Sequence, residues 1–513
     1  MKKLDFKKNI SFKFFFLSQG EILFLFFILI AGSLLLFLNL GNIYLWQDEA
    51  QTALISETVL QYGVPKGYDG KNFLSQELGI EYGENYIWKW HTWFPFYLLA
   101  AFFKIFGTNS FTARLPFAMF GLGCLFLIYF FSKSLWNDKK VAVMSASALL
   151  FSVPFLILSR QCRYYSLTAF FSLGGLYGYQ AMTRGKRFGP FVYLVASTFL
   201  FHTHYIYLAT MLATVAVHVL IFQRNLWKKV LLWTLGILVL NSPWIIWLSG
   251  MKYGENYDMF KWDPFVSQMM HFMNHIRQHL FPIYLFLVPL GVLLWYWFRN
   301  KEFFFRKKPE LLSGIFIPVF FVFINMVALS LVAPAPFFRY LAPVLPFLAI
   351  VVGLFLAWAA EMHLIAGISI LACLIVSGPI FGFMYEITHD YDGPIEGIVE
   401  HLNKHAKKTD VVAITYGDMP VKFYTGLRVV GGLTGEDLTP GADADWVVIR
   451  RNVICEKDHK VRNFLASQVK WRRYQKITLN YPDIPFENRE SPLHHLYRTQ
   501  LNYPPVILFR KVK

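Results

Sequence analysis

The chemistry that this chain could perform is concentrated in polar residues that flank its apolar segments. Two adjacent carboxylates, Asp48 and Glu49, follow the apolar run that ends in the segment NLGN. Arg160 and Arg163 lie in SRQCRYYSL, and Arg339 lies in APAPFFRYLAP. A carboxylate can act as a general base toward a hydroxyl or an amine, and guanidinium groups bind phosphate through paired hydrogen bonds. These residue types predict a site with a base on one side and an anion clamp on the other.

The composition indicates that these residues lie in or beside a membrane. The chain has 513 residues, of which 56% are hydrophobic and 19% aromatic, while only 16% are charged. Its mean hydropathy is +0.41, and a soluble domain could not bury so much apolar surface. The net charge of +17 lies mostly in short loops between apolar runs, where it indicates orientation rather than a nucleic-acid partner. The four cysteines have neither metal-site nor redox spacing.

Eleven apolar runs have the length of a membrane span. They lie near residues 21–40, 113–133, 141–158, 166–183, 190–206, 207–222, 230–248, 280–298, 311–332, 341–358 and 364–384. The first run is longer than the apolar core of a secretory signal, so we expect a retained anchor. The positive-inside rule places residues 1–20 and the loops SLWNDKK, TRGKR, QRNLWKK and RNKEFFFRKK in the cytoplasm. We therefore expect a multi-pass protein of the cytoplasmic (inner) membrane with an extracytoplasmic C-terminus.

Two larger segments are expected outside the membrane. The first is the loop 41–112, in which the apolar stretch 93–107 is interrupted by Lys104 and predicts an interfacial helix. The second is the tail 385–513, where IEGIVEHLNKHAKK has helical periodicity and DVVAIT, ADWVVIR and PPVILFRKVK are typical of strands. The predicted fold is a polytopic α-helical membrane protein of about eleven spans, residues 21–384, followed by a small extracytoplasmic α/β domain.

The acids and arginines each have a simpler interpretation. An acid pair beside a membrane surface is often just a solvated loop, and an arginine near the bilayer often extends its side chain to the lipid headgroups. Arginines on short, apolar outer turns, however, run against the positive-inside trend. Three of them on two such turns favour a buried anion.

An ordered set of motifs resembles a known family. WQDEAQTALISETVLQYGVP, HTWFPFYLLAAFFKIFGTNSFTARLPFAMFG, SRQCRYYSL, FHTHYIYLAT, NSPWIIWL and FFRYLAPVLP follow one another along the chain. This set resembles the bacterial branch of the protein O-mannosyltransferase and aminoarabinose-transferase group, within the glycosyltransferase C (GT-C) superfamily. The resemblance covers roughly residues 20–350 and, more loosely, the tail.

The resemblance implies an inverting transferase that takes a sugar from a polyprenyl-phosphate donor outside the cytoplasmic membrane. Residues 21–384 would then be its catalytic domain. Asp48 matches the catalytic base of the family, and Glu49 matches a second acid that supports or positions it. Arg163 and Arg339 are the candidates for binding the leaving phosphate.

Other positions depart from the family pattern or leave alternatives open. Many relatives carry a basic residue before a Pro-Pro pair, where this chain has KWHTWFP, so either His91 or Lys89 would take the donor-phosphate role. His204, Tyr164 and Tyr340 are candidate substrate contacts. The pair His202 and His204 is spaced by two residues, which would place the two side chains on different faces of a helix.

We expect no metal and no other cofactor, because guanidinium groups are available to bind the phosphate. The expected partners are the lipid bilayer, a polyprenyl-phosphate-linked sugar donor and an envelope acceptor, which could be a glycan, a lipid or a protein. Two other classes remain as alternatives. A transporter or flippase for a lipid-linked saccharide would place its polar groups near mid-membrane, and a non-catalytic scaffold would tolerate loss of Asp48.

Overall fold

The computed structural model describes residues 17–249, 264–280, 308–362, 364–377, 380–389, 393–451, 456–484 and 503–512. The helices in these ranges are α1 (Gln19–Phe37), α2 (Gln47–Tyr62), α3 (Phe94–Phe106), α4 (Ser110–Trp136), α5 (Lys139–Leu150), α6 (Val153–Ser159), α7 (Tyr165–Thr183), α8 (Gly189–Thr203), α9 (Tyr205–Phe222), α10 (Trp227–Ser249), α11 (Phe265–His275), α12 (Lys308–Val332), α13 (Leu345–Met362), α14 (Leu364–Ser377), α15 (Ile380–Thr388), α16 (Pro394–His405), α17 (Asp418–Thr425) and α18 (Glu456–Gln468). The strands are β1 (Val411–Ile414), β2 (Arg428–Gly431), β3 (Trp446–Val448), β4 (Tyr474–Pro482) and β5 (Pro505–Lys511).

Six helical segments in the described part of the chain are long and apolar enough to cross a bilayer. They are Gln19–Phe37, Ser110–Trp136, Tyr205–Phe222, Arg224–Trp247, Leu311–Val332 and Phe338–Glu361. Helices α5 and α6, bent by 65° at their break, would together add a seventh. Apolar helices satisfy their backbone hydrogen bonds internally, as lipid requires, so these segments support a multi-pass membrane protein. The count of eleven spans and the orientation stay predictions, and the span predicted near 280–298 lies almost wholly outside the described residues.

The helical core forms where α7 packs on α8 and where α5 packs on α13. Glycines allow both close approaches. A Cβ on Gly178 would lie 2.4 Å from the backbone nitrogen of Tyr193, and a Cβ on Gly353 would lie 2.4 Å from that of Ser145. Small residues at such contacts are typical of membrane helices, which associate through packing rather than through the hydrophobic effect.

The segment between α1 and α4 contains α2, an irregular loop and α3. Helix α3 confirms that the apolar stretch near 93–107 is helical, and Pro95 suits its first turn because a missing N–H costs nothing there. One face of α3 is buried through Phe96, Leu99 and Phe103, while Ile105 and Phe106 are exposed. Its location at the membrane interface stays a prediction.

The C-terminal region contains the expected α/β domain. The sheet has the order β2-β1-β3-β5-β4, with β1 parallel to β2 and β3, and with β5 antiparallel to β3 and β4. The three predicted strands are present as β1, β3 and β5, and the predicted helix is α16. The buried side chains of β1, including Val412 and Ile414, pack with those of α16, including Ile398 and Leu402. This domain packs directly on the segment between α1 and α4, which contains α2 and Asp48.

Candidate active site

The two acids of the sequence motif lie in the first turn of α2. Trp46 precedes the helix in an extended conformation, and its backbone N–H donates to the Glu49 carboxylate at 3.4 Å. Acidic side chains are favoured at a helix N-terminus, where backbone N–H groups are unpaired and the helix dipole is positive. Because successive residues of a helix are about 100° apart around its axis, Asp48 and Glu49 face different surroundings.

Glu49 faces the interior and holds the surrounding loops. Its side chain is fully buried, and Arg114 donates to both carboxylate oxygens, from Nε at 2.8 Å and from Nη2 at 2.7 Å. The backbone N–H of Cys162 donates to the same carboxylate at 2.7 Å. Arg114 also donates to the backbone carbonyls of Leu40, Ile43 and Tyr44. Glu49 is therefore placed to support its neighbour Asp48 and has no surface from which to contact a substrate.

Asp48 faces two of the three arginines identified in the sequence. Its Oδ2 lies 3.4 Å from Nη2 of Arg339 and 3.7 Å from Nη2 of Arg163. Each of the three side chains is 12–14% exposed, so the group is largely buried without being closed to a ligand. Hydrogen-bonded ion pairs are normally about 2.7–2.9 Å long, and these longer separations describe a looser pairing than that of Glu49 with Arg114. The arrangement brings a carboxylate and two guanidinium groups together from three separate parts of the chain.

The two arginines are held by aromatic rings. The guanidinium of Arg163 lies 5.5 Å from the ring centre of Tyr164, and that of Arg339 lies 5.3 Å from the ring of Trp46 and 5.7 Å from that of Tyr340. Cation–π contacts of this kind restrict the guanidinium groups. Arg163 is fixed further, because its Nη1 donates to the backbone carbonyl of Asp48 at 3.2 Å and to Oγ1 of Thr52 at 3.0 Å.

Arg160 does not join Arg163 and Arg339 in the predicted anion clamp. Its Nη1 and Nη2 donate to backbone carbonyls at the C-terminal end of α1, those of Leu35, Leu36, Leu38 and Asn39. The last carbonyls of a helix lack partners within the helix, and α1 ends at Phe37 with Leu38, rather than a glycine, as its C-cap. Arg160 therefore caps α1, and neither the anion clamp nor the headgroup interpretation describes its contacts.

His91 and Lys89, the two alternatives for the donor-phosphate role, point to different places. The His91 ring lies 6.3 Å from the ring of Tyr164 and is close to Arg163. The Lys89 side chain instead lies against Gly83, where an added Cβ would come within 1.9 Å of Nζ. The geometry favours His91 as the residue nearer the arginines, and the role of either in phosphate binding stays a prediction.

The remaining candidate substrate contacts surround the same arginines. The ring of Tyr164 lies 4.9 Å from that of His204, and His204 lies 4.7 Å from Tyr207. The hydroxyl of Tyr207 donates to the backbone carbonyl of Tyr340 at 2.9 Å. His202, by contrast, packs on Trp244. The structure thus brings Tyr164, His204 and Tyr340 into one neighbourhood and places His202 on Trp244, and a contact of any of them with substrate stays a prediction.

Several buried polar atoms of this neighbourhood have no hydrogen-bond partner among the described residues. They are Trp46 Nε1, His91 Nδ1, Arg163 Nε, Tyr165 Oη and His204 Nδ1. A buried polar group without a partner costs about 1–3 kcal/mol, and such groups are rare in folded proteins. Five of the sixteen such atoms among the described residues lie in this neighbourhood, which favours a polar ligand there. Sequence reasoning missed Trp46 and Tyr165, although each lies within two residues of one that it singled out.

The described residues contain no candidate metal centre. No group of three or more His, Cys, Asp or Glu side chains is assembled there. The expectation that no metal is required stays a prediction.

His91 and His204 are expected to be neutral at pH 7. Burial, reinforced by the charge of Arg163, lowers the pKa of His204 to about 4 and lowers the pKa of His91 well below its usual value. An unfolded histidine takes up a proton near about pH 6.5, so stability is fully present above that pH and is lost as the pH falls toward 4. We predict that the unfolding temperature in detergent falls between about pH 6.5 and pH 4, and falls less in His204→Asn. Identical pH dependence in both proteins would contradict this assignment.

Comparisons with known proteins bear on the family and the fold of the chain. Residues 90–247 match the family model of dolichyl-phosphate-mannose-protein mannosyltransferases. ArnT from Cupriavidus metallidurans bound to undecaprenyl phosphate has a similar structure, with a TM-score of 0.60 and 14% identity over 95% of this chain and 97% of that one. Its apo state gives a TM-score of 0.58 with the same identity and coverage.

A second enzyme type shares the fold. The archaeal oligosaccharyltransferase AglB from Archaeoglobus fulgidus, in complex with an inhibitory peptide and a dolichol-phosphate, matches with a TM-score of 0.51 and 11% identity over 90% of this chain and 74% of that one. No curated protein sequence matches the chain. The chain thus has the GT-C glycosyltransferase fold, and residues 90–247 match the mannosyltransferase family model, which confirms the resemblance drawn from its sequence.

Proposed function

We propose that the protein is an inverting glycosyltransferase that moves a sugar from a polyprenyl-phosphate donor to an envelope acceptor on the outer side of the cytoplasmic membrane. The observation that carries the proposal is the position of Asp48 opposite Arg163 and Arg339, surrounded by buried polar atoms that lack partners among the described residues. An anionic ligand would supply those partners.

The proposed reaction assigns one role to each side of the site. Asp48 takes the proton of an acceptor hydroxyl or amine as that atom forms its bond to the anomeric carbon. The bond between this carbon and the phosphate oxygen breaks, and the electron pair leaves with the phosphate. Arg163 and Arg339 stabilise the charge that develops there. Because attack and departure occur on opposite faces of one carbon in a single displacement, the anomeric configuration inverts.

The loose pairing of Asp48 supports this division of roles. At 3.4 and 3.7 Å from Asp48, the guanidinium groups are held less tightly by this carboxylate than Arg114 is held by Glu49 at 2.7 Å, so an incoming phosphate can compete with Asp48 for them. Binding of the phosphate would draw Arg163 and Arg339 away from Asp48 and release the carboxylate for proton transfer.

The donor that we propose is an undecaprenyl-phosphate monosaccharide. Support comes from the fold shared with ArnT, whose structure contains undecaprenyl phosphate, and from the apolar helices next to the site. A transporter is less well supported, because Asp48, Arg163 and Arg339 all lie at helix ends or in turns rather than in the middle of a spanning helix.

The test is a transfer assay with purified protein in nanodiscs. A panel of undecaprenyl-phosphate sugars, labelled in the sugar, is incubated with an extract of envelope glycans, lipids and proteins. The proposal predicts transfer from at least one donor, with release of undecaprenyl phosphate and an inverted linkage in the product. Retention of configuration would overturn the mechanism. Movement of intact donor across a sealed vesicle membrane, without transfer, would establish the transporter instead.

A further inference from the structure

The four residues that lead into Asp48 are held largely by the C-terminal domain. The backbone N–H of Tyr44 donates to the Glu396 carboxylate at 3.3 Å, and its ring stacks on that of Tyr424 with 4.1 Å between centres. The backbone N–H of Leu45 donates to the Tyr424 hydroxyl at 2.7 Å. This hydroxyl also lies 2.7 Å from the hydroxyl of Ser110, at the beginning of α4. Tyr424 thus joins the domain to the segment that precedes α2 and to the beginning of α4.

Gln47, immediately before Asp48, is bound through both ends of its amide. Its Nε2 donates to Oδ1 of Asp418 at 2.7 Å, and its Oε1 accepts from the backbone N–H of Met419 at 3.4 Å. Gln47 is 1% exposed and Asp418 is fully buried. A buried amide satisfied on both sides has one orientation, and here that orientation is set by the first turn of α17.

Asp418 is in turn held by Lys422, one helical turn further along α17. Lys422 Nζ lies 2.6 Å from Oδ2 of Asp418 and donates to the backbone carbonyl of Phe73 in the first loop at 2.8 Å. Gly432 makes room for the pair, since a Cβ there would lie 2.1 Å from Asp418 Oδ1. A buried ion pair contributes little net stability because of its desolvation cost, and its best-attested use is to specify one arrangement.

We propose that Gln47, Asp418, Lys422 and Tyr424 are positioning residues for Asp48, so that the C-terminal domain sets the position of the catalytic base. This inference rests on the proposed function. The backbone leading into α2 is anchored to the domain, and a displacement of about 1 Å at a reacting group can cost about 10²-fold in rate. The C-terminal domain is then part of the active site, because it positions the catalytic base.

A second amide of the first loop provides a matched control. Asn72 is 2% exposed, and its side chain also bonds twice to the C-terminal domain, donating to the Leu427 carbonyl at 3.0 Å and accepting from the Val429 N–H at 2.9 Å. Gln47→Ala and Asn72→Ala each remove a buried amide with two bonds across the same interface. Of these two amides, Gln47 alone adjoins the base.

The experiment compares these variants of the full-length protein in nanodiscs, with kcat measured by transfer from the donor that wild type uses and with donor affinity measured separately. We expect Gln47→Ala to lower kcat about 10- to 100-fold with unchanged donor affinity. Asn72→Ala should keep kcat within about threefold of wild type. Its unfolding temperature should fall by about as much as that of Gln47→Ala, because each variant loses a buried amide with two hydrogen bonds. Equal kcat in both variants would overturn the inference. If wild type transfers no sugar, the proposed function itself fails, so the two failures are distinguishable.

A milder substitution keeps the test decisive if Gln47→Ala does not fold. Tyr424→Phe removes only the hydroxyl that accepts from the Leu45 N–H and retains the ring that stacks on Tyr44. We expect a kcat at least about threefold lower with unchanged donor affinity. A Tyr424→Phe protein with wild-type kcat would contradict a positioning role for the domain.

Discussion

Asp48→Asn is expected to reduce sugar transfer by about 10²- to 10⁴-fold, the usual contribution of a general base. The substitution keeps the shape of the side chain and removes its ability to take a proton. Folding should survive, because the two ion pairs that it weakens are loose, at 3.4 and 3.7 Å, and the side chain is 13% exposed. The measurement is the initial rate of transfer from an undecaprenyl-phosphate sugar, with thermal unfolding recorded on the same preparation.

Glu84→Gln is the control for this substitution. Glu84 is an exposed acid of the same loop, so its replacement should leave the rate within about twofold of wild type. A folded Asp48→Asn protein that retains the wild-type rate would show that Asp48 is only a loop acid beside two arginines. The base would then have to be sought elsewhere.

The second large effect is expected at the buried pair that supports the site. Glu49→Gln and Arg114→Met each leave a buried charge without its partner, which typically costs about 3–5 kcal/mol. Arg114→Met also removes the donors to three backbone carbonyls between α1 and α2, so it should be the more damaging of the two. Both proteins should unfold at clearly lower temperature than wild type in the same detergent, and both should lose transfer activity because α2 and the 160–163 turn are no longer held together.

The double variant separates charge from geometry. Glu49→Met combined with Arg114→Met replaces the ion pair by apolar side chains, which can restore much of the stability that a single change removes. We expect partial recovery of the unfolding temperature without recovery of transfer, since the loop carbonyls and the Cys162 N–H still lack the partners that Arg114 and Glu49 provide. Single variants as stable as wild type would contradict the supporting role of this pair.

The sequence singled out the main candidate residues because their chemistry is unusual for their setting. Asp48, Arg163 and Arg339 are charged residues at the ends of apolar runs, where lipid and apolar packing tolerate charge only for a reason. The structure brings the three together. Residue type alone could not separate Arg160 from Arg163, because the difference depends on the backbone carbonyls at the end of α1 that Arg160 caps, which lie 121 to 125 residues away in sequence.

The adjacent acids illustrate the same limit. Nothing in the dipeptide distinguishes the partly exposed carboxylate of Asp48 from the buried one of Glu49, since that depends on which side of α2 faces Arg114. The contact of Gln47 with Asp418 spans 371 residues and involves two residue types that are ordinary in a loop or a helix. Strands β2 and β4 were also missed. Three successive residues of β2 are buried, and β4 mixes exposed, half-buried and buried positions, so neither strand shows a clear apolar alternation.

The central claim, that Arg163 and Arg339 bind the phosphate of a polyprenyl lipid opposite Asp48, is tested most directly by the affinity for undecaprenyl phosphate in nanodiscs. Charge-assisted hydrogen bonds contribute about 1.5–3 kcal/mol each, so Arg163→Met and Arg339→Met should each weaken binding about 10- to 100-fold. Arg160→Met, whose guanidinium caps α1, should bind like wild type despite lower stability. Undiminished binding by the Arg163 and Arg339 variants, or an equal loss in Arg160→Met, would contradict the account.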